Sequence, residues 1–213
     1  MPRSKEKMTT NDARVRVLPG YMNSGPGHWQ TRWEAAHTGF ARVAMPDWTH
    51  PDCAAWCRAL EAALVAEPQG EDAGEGGVLL AAHSLGCLTV AHWAAHFSSA
   101  ATRAKVAGAL LVAVPDPHGP EFPRDASGFD PVPLDALPFA SIVVASSDDP
   151  YGGVDFARRC AQGWGSGWEE VGARGHINAE SGLGDWPQGY EWLMSMQPSM
   201  AQQIARSVAG GGA

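Results

Sequence analysis

Positive charge is scarce in this chain: 15 lysines and arginines stand against 23 aspartates and glutamates, for a formal net charge of −8. No basic stripe is present to neutralise a run of phosphates, which argues against nucleic acid as a partner. Long apolar runs are missing too. None approaches the ~20 residues that a bilayer-crossing helix needs, and the polar first dozen residues hold no apolar centre of a secretory signal. No membrane association is expected. Cysteine is rare, with four in the chain, too few for a disulfide scaffold of this size. Cys53 and Cys57 stand four apart on an expected helix, the spacing of a metal or redox pair. No second ligand pair with suitable spacing follows, so they read as small buried residues. The expectation is a cytoplasmic protein with reduced thiols, no metal and no cofactor. Internal repeats are absent.

What is present is a globular composition, 45% hydrophobic and 18% charged, over 213 residues. That length suits one domain with a sheet covered on both sides. Residues 1–13 read as a disordered leader, 14–208 as the domain and 209–213 as a flexible tail. Expected strands lie at 14–18, 41–45, 77–82, 106–114, 141–146 and 167–171, each an apolar or alternating run. Between them lie helical segments: one carrying Trp29 and Trp33, then 52–67, 87–97 and 154–162. A closing helix at 190–208 must break or kink at Pro198. Trp56, Leu60 and Leu64 recur every fourth residue and mark a buried face. The acidic, Gly-rich stretch 68–77 reads as a surface loop, and the Pro-rich excursion 115–138 as a cap or pocket wall. Strands alternating with helices predict an α/β fold of about six mostly parallel strands with helices on both faces.

The third strand runs into Ala82-His83-Ser84-Leu85-Gly86, with a helix starting at once. This is the strand–turn–helix setting of a nucleophile elbow, where a serine is pushed onto a strained turn above the sheet. Small residues at 82 and 86 are expected there because the incoming strand and outgoing helix come close. In a parallel sheet, ligands bind beyond the carboxyl ends of the strands. Ser84 follows the third strand, Asp148 and Asp149 the fifth, and His176 the sixth. The order Ser, Asp, His, each at a strand end, is that of α/β-hydrolase triads.

The chemistry needs all three. A serine hydroxyl is protonated at neutral pH and needs a base to take its proton, and His176 is the candidate. A carboxylate must hold the imidazole in the right tautomer. Asp149, set before Pro150, ranks ahead of Asp148 and of Asp116. His83 adjoins the serine but points to the opposite side of its strand. His28, His37, His50, His92 and His96 read as ordinary surface or core residues. Backbone N–H groups of Leu85 and Tyr21 are the candidate oxyanion donors, and Trp48, Phe122 and Tyr151 the candidate pocket wall.

Six elements together resemble a known family: Pro19-Gly20, His28-Trp29-Gln30 with Trp33, Pro46-Asp47-Trp48, His83-Ser84-Leu85-Gly86, Ser146-Ser147-Asp148-Asp149-Pro150-Tyr151 and Gly175-His176-Ile177-Asn178. They look like the small serine hydrolases related to retinoblastoma-binding protein 9 and the bacterial YdeN-type hydrolases. The resemblance runs from about Val15 to Trp192. It implies an α/β-hydrolase fold with Ser84 as nucleophile, Asp149 as acid and His176 as base. Ala82 replaces the glycine common at the elbow. The partner motif L-x-C-x-E is absent, because Leu85-Gly86-Cys87-Leu88-Thr89 ends in threonine, so no retinoblastoma-type partner is implied. The expected activity is metal-independent hydrolysis of small esters, thioesters or activated amides through an acyl-enzyme. The alternatives are acyl transfer to an acceptor other than water, and an inert interaction module that keeps the fold. Nothing in the sequence sets the oligomeric state.

Overall fold

The computed structural model describes residues 13–68 and 76–198. Alternation in Arg14-Val15-Arg16-Val17-Leu18 builds β1 (Arg14–Leu18), with Val15 and Val17 fully buried. His28 caps α1 (Trp29–Ala36) by accepting the Gln30 N–H at Nδ1, and β2 (Phe40–Arg42) follows. Asp52 caps α2 (Cys53–Val65) through the Ala55 N–H. Next come β3 (Val78–His83), α3 (Leu85–His92), a π-helical turn at Trp93–Phe97 and α4 (Ala100–Lys105). The second half holds β4 (Val106–Val112), β5 (Ala140–Ala145), α5 (Val154–Trp164) and β6 (Gly167–Glu170). A 3₁₀ turn at Ala179–Ser181 leads to α6 (Pro187–Ser195), with proline at its first position, where no N–H is needed.

The six strands pair in parallel in the order β2-β1-β3-β4-β5-β6. β3 and β4 are buried at every residue, as expected of central strands covered on both faces. On one face α2, α3 and α5 contribute Trp56, Leu60, Leu64, Leu88, Cys160 and Trp164 to a core. On the other, Trp29, Trp33, Trp186 and Leu193 of α1, α6 and the residue before α6 close a second core. The strand order reverses between β1 and β3, the place in a parallel sheet where ligands commonly bind beyond the strand ends.

Several boundaries differ from the sequence expectation. The second strand is shorter and earlier than 41–45, because Arg42 turns its side chain onto Glu34, Asn23 and Thr31 at the sheet edge. Residues 115–138 contain no regular element. Their Ser127 backbone bonds to Pro51 and Cys53 and ties the excursion to the start of α2. α4 was not foreseen, although Ser99 and Thr102 form a reciprocal cap at its start. The closing helix starts at Pro187 rather than 190 and ends at Ser195, and the part of 190–208 beyond residue 198 lies outside the described residues. So do most of the 1–13 leader, most of the 68–77 loop and the 209–213 tail.

Cys53 and Cys57 are buried with sulfurs 4.0 Å apart, and all four cysteines are free. Among the described residues no group of three histidine, cysteine or acidic side chains is placed to hold a metal. No helix among them is long and apolar enough to cross a membrane.

Candidate active site

Ser84 joins β3 to α3 at φ 55°, ψ −124°. Backbone of that kind is sparsely allowed for a residue with a side chain and costs about 1–3 kcal/mol. Two glycines make room for it. A Cβ on Gly20 would stand 2.6 Å from the Ser84 Cβ, and one on Gly86 would stand 2.3 Å from the Leu18 carbonyl oxygen. Position 86 must therefore be small because α3 presses on the end of β1. This corrects the sequence-based reason, which had the helix pressing on its own incoming strand. Ala82, fully buried, pairs with Leu18 on one side and Leu111 on the other.

Beyond β5, the Asp149 carboxylate faces the His176 ring. Its two oxygens lie 2.8 and 2.9 Å from His176 Nδ1, and Oδ1 also accepts the Tyr151 N–H at 3.0 Å. The Asp149 side chain is 1% exposed and that of His176 10%. A carboxylate only accepts, so the ring proton sits on Nδ1 and the Nε2 lone pair is free. That Nε2 lies 2.9 Å from Ser84 Oγ. The structure thus brings Ser84, His176 and Asp149 into one hydrogen-bonded line.

The other two acid candidates are elsewhere. Asp148 accepts from Ser146 Oγ and the Gly175 N–H, both at 2.7 Å. These bonds, the serine hydroxyl first, hold its carboxyl below the ordinary range. Asp148 thereby supports the loop that carries His176. Asp116 accepts the His118 N–H and shapes a local turn.

Sequence reasoning missed two contributors. His83 Nε2 lies 2.8 Å from the His176 carbonyl oxygen. Trp29 donates its indole N–H to the next carbonyl, that of Ile177, at 2.9 Å. Ile177 is fully buried and sits at φ 47°, an uncommon place for a β-branched residue. The His28 ring lies edge-on to His83 with centroids 4.7 Å apart. Burial, with help from Arg42 and His176, pushes the His28 imidazole down to about 3, and burial drives that of His83 well below its ordinary value. Both rings are therefore neutral. The only sequence signal was the His28-Trp29-Gln30 run itself, which says nothing about contacts nearly 150 residues away.

Among the described residues no hydrogen bond engages the N–H of Tyr21 or of Leu85. Leu85 begins α3, where the first N–H groups lack helical partners. Tyr21 lies in a turn closed by Asn23 N–H to the Gly20 carbonyl and held by Met22 N–H to the Trp48 carbonyl. Tyr151 packs against His176 with ring centroids 4.3 Å apart. Trp48 stacks edge-on to Trp56 behind the Tyr21 turn. Phe122 packs near Phe129 and lines a cleft of about 360 Å³ within the 115–138 excursion. Beside His176 itself opens a polar cleft of about 290 Å³ bordered by Arg174, Asn178, Glu180 and Ser181.

Comparison with known proteins places the fold and the family. A protein assigned as a YdeN-like hydrolase from Pectobacterium atrosepticum superposes with a TM-score of 0.71 at 28% identity, covering 88% of this chain and 94% of that one. The ydeN gene product of B. subtilis does so with a TM-score of 0.62 at 22% identity, over 86% and 98% of the two chains. A thermophilic esterase from Thermogutta terrifontis shares the fold at 15% identity, with a TM-score of 0.59 over 87% and 91%. No curated protein sequence matches. The serine hydrolase family model matches residues 15–195, and the chain belongs to that family.

Proposed function

We propose that this chain hydrolyses small esters through an acyl-enzyme, with Ser84 as nucleophile, His176 as general base and then general acid, and Asp149 as the group that orients the ring. The observation that carries this reading is the unbroken line from Asp149 through His176 to Ser84 Oγ, with spacings of 2.8–2.9 Å. In the first half-reaction Ser84 Oγ attacks the ester carbonyl carbon while its proton passes to His176 Nε2. The tetrahedral oxyanion sits against the N–H groups of Tyr21 and Leu85. The alkoxide leaves with the proton from Nε2, and Ser84 keeps the acyl group. Water then attacks the acyl carbon, giving its proton to the same nitrogen, and collapse returns that proton to Ser84 as the acid departs. Asp149 stays ionised and stabilises the imidazolium in both halves.

The Tyr151 ring packed beside His176 narrows the approach to the base and favours substrates with short acyl and alcohol parts. An ester substrate also accords with the Thermogutta esterase of like fold. The same reading takes residues 14–208 as one domain and the cytoplasm as its setting, where four free thiols stay reduced. The test is turnover of p-nitrophenyl acetate, butyrate and octanoate. Turnover should be fastest on the shortest esters, with a burst of p-nitrophenol equal to the enzyme, and should vanish in Ser84→Ala and His176→Ala. Undiminished turnover in either variant would contradict the proposal.

A further inference from the structure

His176 sits on a segment with little regular structure to hold it. Between β6 and the 3₁₀ turn, Gly172, Gly175 and Ile177 all adopt positive φ, and no ladder pairs the backbone from Gly172 to Asn178. The position of the imidazole therefore depends on individual hydrogen bonds. On one side Ser146 Oγ and Asp148 accept the N–H groups of Arg174 and Gly175. On the other, two buried rings reach the two following carbonyls.

We propose that His83 and Trp29 are positioning residues for the base: their ring N–H groups clamp the successive carbonyls of His176 and Ile177, and so set the imidazole between Asp149 and Ser84. This rests on the reading of His176 as the base. The geometry is direct. His83 Nε2 is 2.8 Å from the His176 oxygen and Trp29 Nε1 is 2.9 Å from the Ile177 oxygen. His83 also precedes Ser84 in the chain. One side chain thus ties the nucleophile's own strand to the peptide of the base through a single hydrogen bond. A carbonyl only accepts, so the His83 proton is on Nε2. Burial keeps His83 neutral. That matters because the His83 and His176 rings are 4.8 Å apart, and a charged His83 would oppose formation of the imidazolium. The His28 ring supports His83 from behind, while Trp29 is packed by Trp33 and Trp186.

The test uses the full chain and five variants with p-nitrophenyl acetate. His83→Phe removes the donor and keeps a ring of similar bulk; His83→Gln restores an amide N–H near the same place; Trp29→Phe removes the indole N–H. A shift of the base by about 1 Å costs on the order of 100-fold. The expected result is a ~10- to 100-fold loss of kcat in His83→Phe with KM within ~3-fold, and a ~3- to 10-fold loss in Trp29→Phe. His83→Gln should recover most of the rate, and the double variant His83→Phe/Trp29→Phe should lose less than the product of the two single losses. Unchanged kcat in His83→Phe, or equal losses in His83→Phe and His83→Gln, would overturn the clamp. Should His83→Phe fail to fold, the other two single variants decide it: a kcat loss in Trp29→Phe with near-normal rate in His83→Gln supports the clamp, and any other pairing overturns it. His176→Ala keeps the two readings apart. If it retains turnover the base assignment fails; if it abolishes turnover while His83→Phe is normal, only the clamp fails.

Discussion

Exchange of Asp149 for asparagine separates a carboxylate that orients the base from one that merely holds a loop. In the native site Asp149 Oδ1 accepts both the Tyr151 N–H and His176 Nδ1–H, whereas Oδ2 meets His176 alone. The Tyr151 N–H can only donate, so the asparagine oxygen must stay at the Oδ1 position. Its NH₂ then takes the Oδ2 position and faces Nδ1. The amide N–H there competes with the oxygen at Oδ1 for Nδ1 and weakens the preference for a proton on that nitrogen; in the tautomer with its proton on Nε2, that nitrogen faces Ser84 Oγ as a donor and cannot take its proton. With the orienting charge also gone, kcat should fall by roughly 10³- to 10⁴-fold, about 4–5.5 kcal/mol of barrier. Asp148→Asn is the control. Its Oδ1 still accepts from Ser146 and Gly175, so the loss should stay below ~10-fold. The assay is kcat for p-nitrophenyl acetate, with thermal melts to show that both variants are folded. A thousandfold loss in Asp148→Asn beside a near-normal Asp149→Asn would refute the assignment of the acid.

Three other perturbations probe the frame. Gly86→Ala drives a methyl into the Leu18 carbonyl and should cost about 1–3 kcal/mol in urea-unfolding experiments; a neutral result would contradict the tight approach of α3 to β1. Gly20→Ala meets the Ser84 side chain and should lower kcat by more than tenfold, while Gly25→Ala, with open space around it, should change nothing. Acid should weaken the fold through the buried histidines. His28 has its pKa lowered from 6.5 to about 3, so between those values the unfolded chain binds more protons and stability is lost as pH falls below 6.5. At pH 4.5 that amounts to at most about 2.7 kcal/mol from His28 alone. His28→Asn, which keeps an acceptor for the Gln30 N–H, should flatten the pH dependence of the unfolding free energy by a similar amount. An unchanged slope would count against a buried neutral His28.

Much of this architecture could be read from apolar runs, because β3 and β4 are buried on both faces and have to be apolar throughout. The three side chains that meet in one hydrogen-bonded line were legible for a related reason: in a parallel sheet they stand where strands end. Edges and irregular segments were less legible. β2 has a single neighbour, so its extent depends on where Arg42 finds partners, which no local pattern encodes. The 115–138 excursion is held by backbone bonds from Ser127, and these leave no trace in residue type. His83 and Trp29 could be placed on the correct face of their elements by periodicity, but their acceptors are backbone carbonyls 93 and 148 residues away. Such contacts depend on tertiary structure alone.

Activation of the Ser84 hydroxyl is the step on which the proposed hydrolysis depends. A fluorophosphonate added to the folded protein at neutral pH, followed by peptide mass spectrometry, measures this directly. One phosphonyl adduct per chain on the peptide bearing Ser84, absent from Ser84→Ala, is the predicted result. A folded wild-type protein that stays unmodified, or carries its adduct on another residue, would contradict it.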